Sequence, residues 1–162
     1  MHKALHTNDY MQRIVDRYSD MLFRITWLHL RNKSDAEDIA QDVFFKLVKK
    51  QRIFESDEHE KAWLIRVAIN LCKDRLKSAW FGKTVVFEEN LYNTTPEKQE
   101  VLSSVLELPV KYRSIVLLFY YENYTIAEIA EIIGRKETTI GSQLHRARKM
   151  LKIKLEEDFA NE

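Results

Sequence analysis

Seven cations stand close together in the last part of this chain of 162 residues: Arg135, Lys136, Arg146, Arg148, Lys149, Lys152 and Lys154, opposed within their stretch only by Glu137. A helix face that is merely solvated mixes signs, whereas unopposed guanidinium and ammonium groups suit the neutralisation of phosphates. A second group, Lys61, Arg66, Lys73, Arg75 and Lys77, faces only Asp74, and Asn70 stands inside it. Asn70 carries both donor and acceptor groups, so it can read a base edge or simply sit solvated. Earlier, Asp35, Glu37, Asp38, Gln41 and Asp42 crowd one short run with Phe45 beside them. Acids ahead of Lys46, Lys49 and Lys50 suit a helix dipole, and an apolar ring bordering acceptors also suits docking on a partner protein's helix.

Covalent chemistry finds no such support. The five histidines and the carboxylates show neither metal-ligand nor nucleophile–base spacing, and no glycine-rich phosphate loop is present, so we expect no enzyme, no catalytic residue, no metal and no cofactor. The single cysteine, Cys72, can form neither an internal disulfide nor a paired-cysteine metal cluster. With 45% hydrophobic residues, three glycines and two prolines, the composition is that of a soluble globular protein. A formal charge of only +1 requires nucleic-acid binding to come from local patches. The opening MHKALHTNDY lacks the apolar core of a signal peptide, and no apolar run approaches the ~20 residues of a membrane span; a cytoplasmic protein without direct membrane insertion is expected.

These groups must be held by helices. From Asn8 to Arg31, Tyr10, Ile14, Tyr18, Met21, Leu22 and Ile25 recur at three- and four-residue steps. Ser34 and Glu37 then form a candidate capping box, followed by a stripe of Ala36, Ile39, Ala40, Val43, Phe44, Leu47 and Val48 ending near Lys50. Residues Gln51 to Glu60 break the period and read as a loop. A third helix covers Lys61 to Lys77, with Trp63, Leu64, Val67, Ala68, Leu71, Cys72 and Leu76 as its apolar face. Ser78 to Thr95 loses all periodicity and reads as a linker, though Trp80, Phe81, Val85, Val86 and Phe87 are too apolar for a free spacer. Thr95 and Pro96 start a helix carrying Val101, Leu102, Val105 and Leu106; Leu108-Pro109 interrupts it, and Tyr112, Ile115, Val116, Phe119 and Tyr120 mark another.

The sequence YTIAEIAEIIGRKETTIGSQLHRAR, Tyr124 to Arg148, has the marks of a helix-turn-helix. Thr125 and Glu128 form a capping box, Gly134 supplies a positive-φ turn, and Ile140, Leu144, Ala147 and Leu151 restart the helical period. The fold class is therefore all-α: two small helical domains, 1–77 and 96–162, joined by a linker at 78–95, the second containing the helix-turn-helix.

The segments DAEDIAQDVFFKL, KAWLIRVAINLCKDRL and LPVKYRSIVLLFYYENYTIAEIAEIIGRKETTIGSQLHRARKML resemble, in order and spacing, the extracytoplasmic function sigma factors of bacterial RNA polymerase. The resemblance covers about Tyr10 to Leu151. It implies that Asp38, Gln41, Asp42 and Phe45 dock on core polymerase. It further implies that Asn70 and the Arg52 to Glu60 loop hold a flipped base of the -10 promoter element, with Arg66, Lys73, Arg75 and Lys77 among its DNA-binding residues. For the -35 element it implies base-edge contacts by Lys136, Glu137, Thr138, Ser142 and Gln143, with Arg135, Arg146 and Lys149 on phosphates and Thr139 also among the DNA-binding residues. The implied partners are core RNA polymerase, promoter DNA and an anti-sigma factor, commonly membrane-tethered; the implied setting is an envelope or stress response.

Three residues depart from the family pattern. Lys136 stands where a Ser or Thr cap is usual, and Gly141 and Gln143 stand where Lys and Arg are common, so the -35 preference does not transfer from relatives. A stand-alone dimeric helix-turn-helix regulator and a DNA-independent adaptor are the competing readings. The first needs a self-association surface, and the second needs no cations on the last helix.

Overall fold

The computed structural model describes residues 8–50, 54–80 and 103–160, and every regular element among them is helical. The chain divides into two compact units, Met1–Glu88 and Glu89–Glu162.

In the first unit α1 (Asn8–Leu30), α2 (Lys33–Lys50) and α3 (Asp57–Trp80) each pack against the other two. The expected stripe of α1 is buried along its length, from Tyr10 to Ile25. Leu22, Ile25 and Leu30 are buried, as are Ile39, Val43 and Leu47 of α2 and Leu64, Ile65 and Cys72 of α3, and Leu30, Ile39 and Cys72 pack in one cluster. Each large aliphatic side chain withdrawn from water there contributes roughly 1.5–3 kcal/mol relative to exposure.

The start of α2 differs from expectation. Arg31 takes a positive φ of 52°, which ends α1 and delivers Asn32 as the cap. The Asn32 Oδ1 accepts from the Asp35 N–H at 3.0 Å, and its carbonyl accepts from the Ala36 N–H at 2.9 Å. Ser34 is already inside the first turn, so the Ser34/Glu37 box does not form the cap; Glu37 lies 4.0 Å from the Lys33 Nζ instead. Along this helix Val48 is exposed and Phe44 only half-buried, a narrower stripe than the seven residues expected.

The start of α3 also differs. It begins at Asp57, four residues inside the expected loop, because the Ser56 Oγ accepts from the His59 N–H at 3.2 Å and Asp57, Glu58 and Glu60 put negative charge at the positive end of the dipole. Polar composition there marks a helix start rather than a loop. Ile65 and Ile69 are buried with Leu64, Ala68 and Cys72, whereas Trp63, Val67 and Leu71 are half-buried. The helix runs on to Trp80, so the first three residues of the expected linker are helical. The remainder of that linker, with Thr95, Pro96, Val101 and Leu102, lies outside the described residues.

In the second unit residues 103–106 are helical, followed by α4 (Val110–Val116), a π-helical turn (Leu117–Tyr121), α5 (Ile126–Ile133) and α6 (Glu137–Ala160). Pro109, whose missing N–H is harmless ahead of a first turn, accepts through its carbonyl from Tyr112 at 2.9 Å and Arg113 at 3.2 Å. Val105, Leu108, Tyr112 and Val116 close on Ala147, with Leu151 against them. An unbroken helix through Tyr120 was the expectation. Instead the Glu122 N–H bonds the Leu117 carbonyl at 3.1 Å, five residues back, which buries Leu117 and Leu118 and leaves Tyr120 and Tyr121 exposed.

Candidate nucleic-acid interface

The helix-turn-helix is built as its residues dictate. The Thr125 Oγ1 accepts from the Glu128 N–H at 3.1 Å while the Glu128 Oε1 accepts from the Thr125 N–H at 3.0 Å, completing the capping box. Gly134, at φ 78°, turns the chain, and its N–H and that of Arg135 both reach the Ala130 carbonyl, at 2.8 and 3.0 Å. Ile129 and Ala130 of α5 pack inward with Ile140, Leu144 and Ala147 of α6, all buried, as is Ile132.

This packing turns the opposite side of α6 outward. Arg135, Lys136, Glu137, Thr138, Ser142, Arg146 and Lys149 are exposed, and Thr139 and Gln143 are half-buried on its flank. Thr138, Ser142 and Lys149 follow one another at helical spacing with Arg146 beside them, so side chains able to read base edges precede those able to hold phosphates. Lys136 caps through its carbonyl alone, which accepts from the Ile140 N–H at 3.1 Å. Gly141 has open space where a Cβ would stand. Arg148, counted among the cations of this helix, is exposed but held against two rings: its guanidinium lies 5.2 Å from the Phe119 ring centroid and 5.5 Å from that of Tyr120, and its Nε donates to the Tyr120 hydroxyl.

On α3 the residues Arg66, Asn70, Lys73 and Lys77 fall at i, i+4, i+7 and i+11, one line along the helix facing away from the buried Leu64, Ile65 and Cys72. Arg66, Asn70 and Lys77 are exposed and Lys73 is half-buried. Arg75 is not brought to this line. It lies on the side facing α2, where its Nη1 pairs with the Asp35 Oδ1 at 2.9 Å, both groups partly buried. Sequence grouping by sign had placed it with the others; the 100° step per residue separates it. Trp63, by contrast, shares the face of Arg66 and Asn70 at i, i+3 and i+7, and Phe54 packs on it with ring centroids 5.7 Å apart. That spacing was legible but was absorbed into the apolar face. Of the expected base-holding loop, 52 and 53 lie outside the described residues, Phe54 to Ser56 are non-helical and Asp57 to Glu60 are helix.

On α2, Asp38, Gln41 and Asp42 are exposed around Phe45, whose surface is 69% accessible, and Val48 adds a second exposed apolar group one turn on. A ring left that open beside acceptors is unexplained by packing within the unit. Cys72 is fully buried, and burial pushes its thiol up to about 12, so it is neither nucleophile nor ligand. No cluster of His, Cys, Asp and Glu among the described residues has metal-binding geometry, and no described helix is long and apolar enough to cross a membrane.

Comparison with known proteins matches residues 14–81 to the family model for sigma-70 region 2 and residues 98–151 to that for sigma-70 region 4. The chain is 30% identical over 141 residues to the ECF RNA polymerase sigma factor SigM of Mycobacterium tuberculosis, covering 83% of this chain and 71% of that one. It is 28% identical over 167 residues to SigW of Bacillus subtilis, covering 91% and 89%. Its fold is similar to that of the sigma factor RpoE solved in complex with the anti-sigma factor NepR from Bartonella quintana, with a TM-score of 0.74 at 22% identity over 93% of this chain and 98% of that one. It is also similar to CnrH in complex with the cytosolic domain of CnrY, with a TM-score of 0.69 at 20% identity over 94% and 91%.

Proposed function

The chain belongs to the extracytoplasmic function sigma factors of the sigma-70 family, and from this premise we propose that it binds core RNA polymerase, directs it to promoters through -10 and -35 elements, and assists melting of the first. The observation that carries the reading is the presence of two exposed cationic lines on two separate compact units, one on α3 and one on α6. A single-site regulator has no use for the first. The α6 line, Thr138, Ser142, Arg146 and Lys149 with Arg135, Lys136, Glu137, Thr139 and Gln143 around it, enters the major groove of the -35 duplex. The α3 line holds the backbone of the opened -10 strand through Arg66, Lys73 and Lys77, and Asn70 accepts a base outside the stack. A base held there is kept unpaired, so binding energy drives strand opening with no covalent step. Arg75 serves this line by joining α3 to α2 rather than by holding a phosphate.

Polymerase docks on the α2 surface of Asp38, Gln41, Asp42 and Phe45, with Val48 extending it. A protein of the same fold solved with an anti-sigma factor supports control of this chain by a separate inhibitory protein; an envelope or stress response as its setting belongs to the same proposal. The localisation we propose is cytoplasmic, where the polymerase is. Run-off transcription on a genomic promoter library, with core polymerase alone and with this protein added, tests the reading. Discrete new start sites sharing two upstream elements are expected. Absence of new starts together with polymerase-independent duplex binding would replace it with a dimeric regulator.

A further inference from the structure

Glu60 is the one carboxylate buried among the described residues, and it sits in the first turn of α3. Two phenols of α1 reach it: the Tyr10 hydroxyl donates to Oε2 at 2.6 Å and the Tyr18 hydroxyl donates to Oε1 at 3.2 Å. Burial and the neighbouring carboxylate raise the hydroxyl of Tyr10 and push that of Tyr18 up to about 12, so both remain donors across the physiological range. Outside this network the Arg17 Nη1 pairs with the Asp57 Oδ2 at 3.1 Å. A buried charge with two partners from another helix is a costly way to hold two helices together, since an apolar contact of the same volume does so at no desolvation penalty. What it provides is directionality: a carboxylate fixed by two hydrogen bonds admits one position where an apolar pair tolerates several.

That position is where the segment leading into α3 is set. The Glu60 N–H bonds the Ser56 carbonyl at 3.1 Å, Ser56 caps the helix through the His59 N–H, and Phe54 lies against Trp63. Tyr10 and Glu60 share with Phe54 and Ser56 the lining of a cleft of about 680 Å³ between α1 and this segment. Trp63 in turn shares its face with Arg66 and Asn70, and the helix from Glu60 to Asn70 forms a rigid rod of roughly 15 Å. Phe54, Ser56 and Asp57 share that cleft with Tyr10, Ile14 and Arg17 of α1, so a helix start loosened from α1 leaves the segment held beside the Asn70 face by its own bonds to α3 alone, and its spacing from Asn70 is no longer fixed from the α1 side.

We propose that Glu60, Tyr10 and Tyr18 are positioning residues for base capture, fixing the spacing between the Phe54–Ser56 segment and Asn70 and thereby which unpaired base of the -10 element is accepted. The proposal rests on the -10 role given above to α3. None of the three touches the base; they act through the helix start they hold. Removing the two phenolic donors leaves the carboxylate free to seek solvent and loosens the segment, whereas a carboxamide in its place keeps an acceptor for one phenol and offers a donor to the other.

The test uses the full chain with core polymerase on a promoter series carrying each base in turn at every -10 and -35 position. Three variants are compared with the parent: Tyr10→Phe/Tyr18→Phe, Glu60→Gln, and the apolar replacement Tyr10→Phe/Tyr18→Phe/Glu60→Leu, which retains packing should the first fail to fold. The double variant and the apolar variant are expected to lose about tenfold or more of their discrimination at one -10 position, the scale on which a misplaced group costs selectivity. Polymerase affinity and -35 discrimination stay unchanged, and Glu60→Gln retains most of the parental preference. Unchanged -10 discrimination in a folded double or apolar variant overturns the proposal, as does a loss spread evenly over all positions. A parent that shows no -10 preference at all overturns the assignment of α3 itself, a result separable from the other two.

Discussion

Replacing Gly141 by alanine asks whether the recognition helix carries a weakness that its own packing does not require. Gly141 lies in the first turns of α6, its φ is not positive, and a Cβ placed on it meets nothing within 4 Å. Glycine in a helix interior is about 0.8–1 kcal/mol less favourable than alanine because it surrenders more backbone freedom on folding. With no clash to set against that gain, Gly141→Ala is expected to stabilise the Glu89–Glu162 unit by ~1 kcal/mol, which for a domain of this size raises the thermal midpoint by about 4–8 °C. Calorimetry of the full chain reads the transition of this unit directly. Duplex binding to a -35 element is expected to stay unchanged, because position 141 lies to the side of the line formed by Thr138, Ser142 and Lys149. A lowered midpoint would refute the packing argument. A raised midpoint with weakened duplex binding would instead show that DNA approaches the backbone at this glycine.

Other outcomes follow from the same geometry. Phe45→Ala should leave stability within about 0.5 kcal/mol, since the ring is already exposed, while weakening association with core polymerase as read by fluorescence anisotropy; intact association would remove the docking role. Asn32→Ala is expected to destabilise the first unit by about 1 kcal/mol in urea titration and Ser34→Ala by much less, the reverse of what a Ser34 cap demands. Cys72 gives a pH dependence with a definite sign. Its thiol rises from 9.0 to about 12 on folding, so below pH 9 it is neutral in both states and adds no slope. Between 9 and 12 the unfolded chain releases a proton that the folded chain keeps, and stability falls. The parent should lose about 1.4 kcal/mol more than Cys72→Ala between pH 8 and pH 10. Equal losses would show the thiol to be accessible.

The helix-turn-helix was legible almost to the atom, because a capping box, a positive-φ glycine and a restarted apolar period are local signals that tertiary packing has no reason to override. The start of α2 was not. Asn32 and Ser34 are both able to cap, and the choice between them was made by the left-handed turn at Arg31, which no local preference announces. The grouping of Arg75 with Arg66, Lys73 and Lys77 failed for a different reason: charge along a sequence does not say which side of a helix a cation occupies. Glu60 was hidden because a carboxylate in a polar run reads as solvated, and its two phenols lie on a helix some fifty residues earlier. Buried polar networks are long-range by nature, and only the packed structure joins their members.

The π-helical turn at Leu117–Tyr121 acts as a one-residue insertion carried in a helix without breaking it. Its extra residue rotates everything after it by about 100° relative to a continuous α-helix. Phe119 and Tyr120 lie within the turn, and the Arg148 guanidinium lies across their rings. Deleting one residue from the turn would shift the register of the two rings and take them from Arg148, which is exposed with them in place. The direction in which one exposed cation of α6 points is thus set from a different helix, and a change in length there would re-aim that charge without touching a single residue of the reading face.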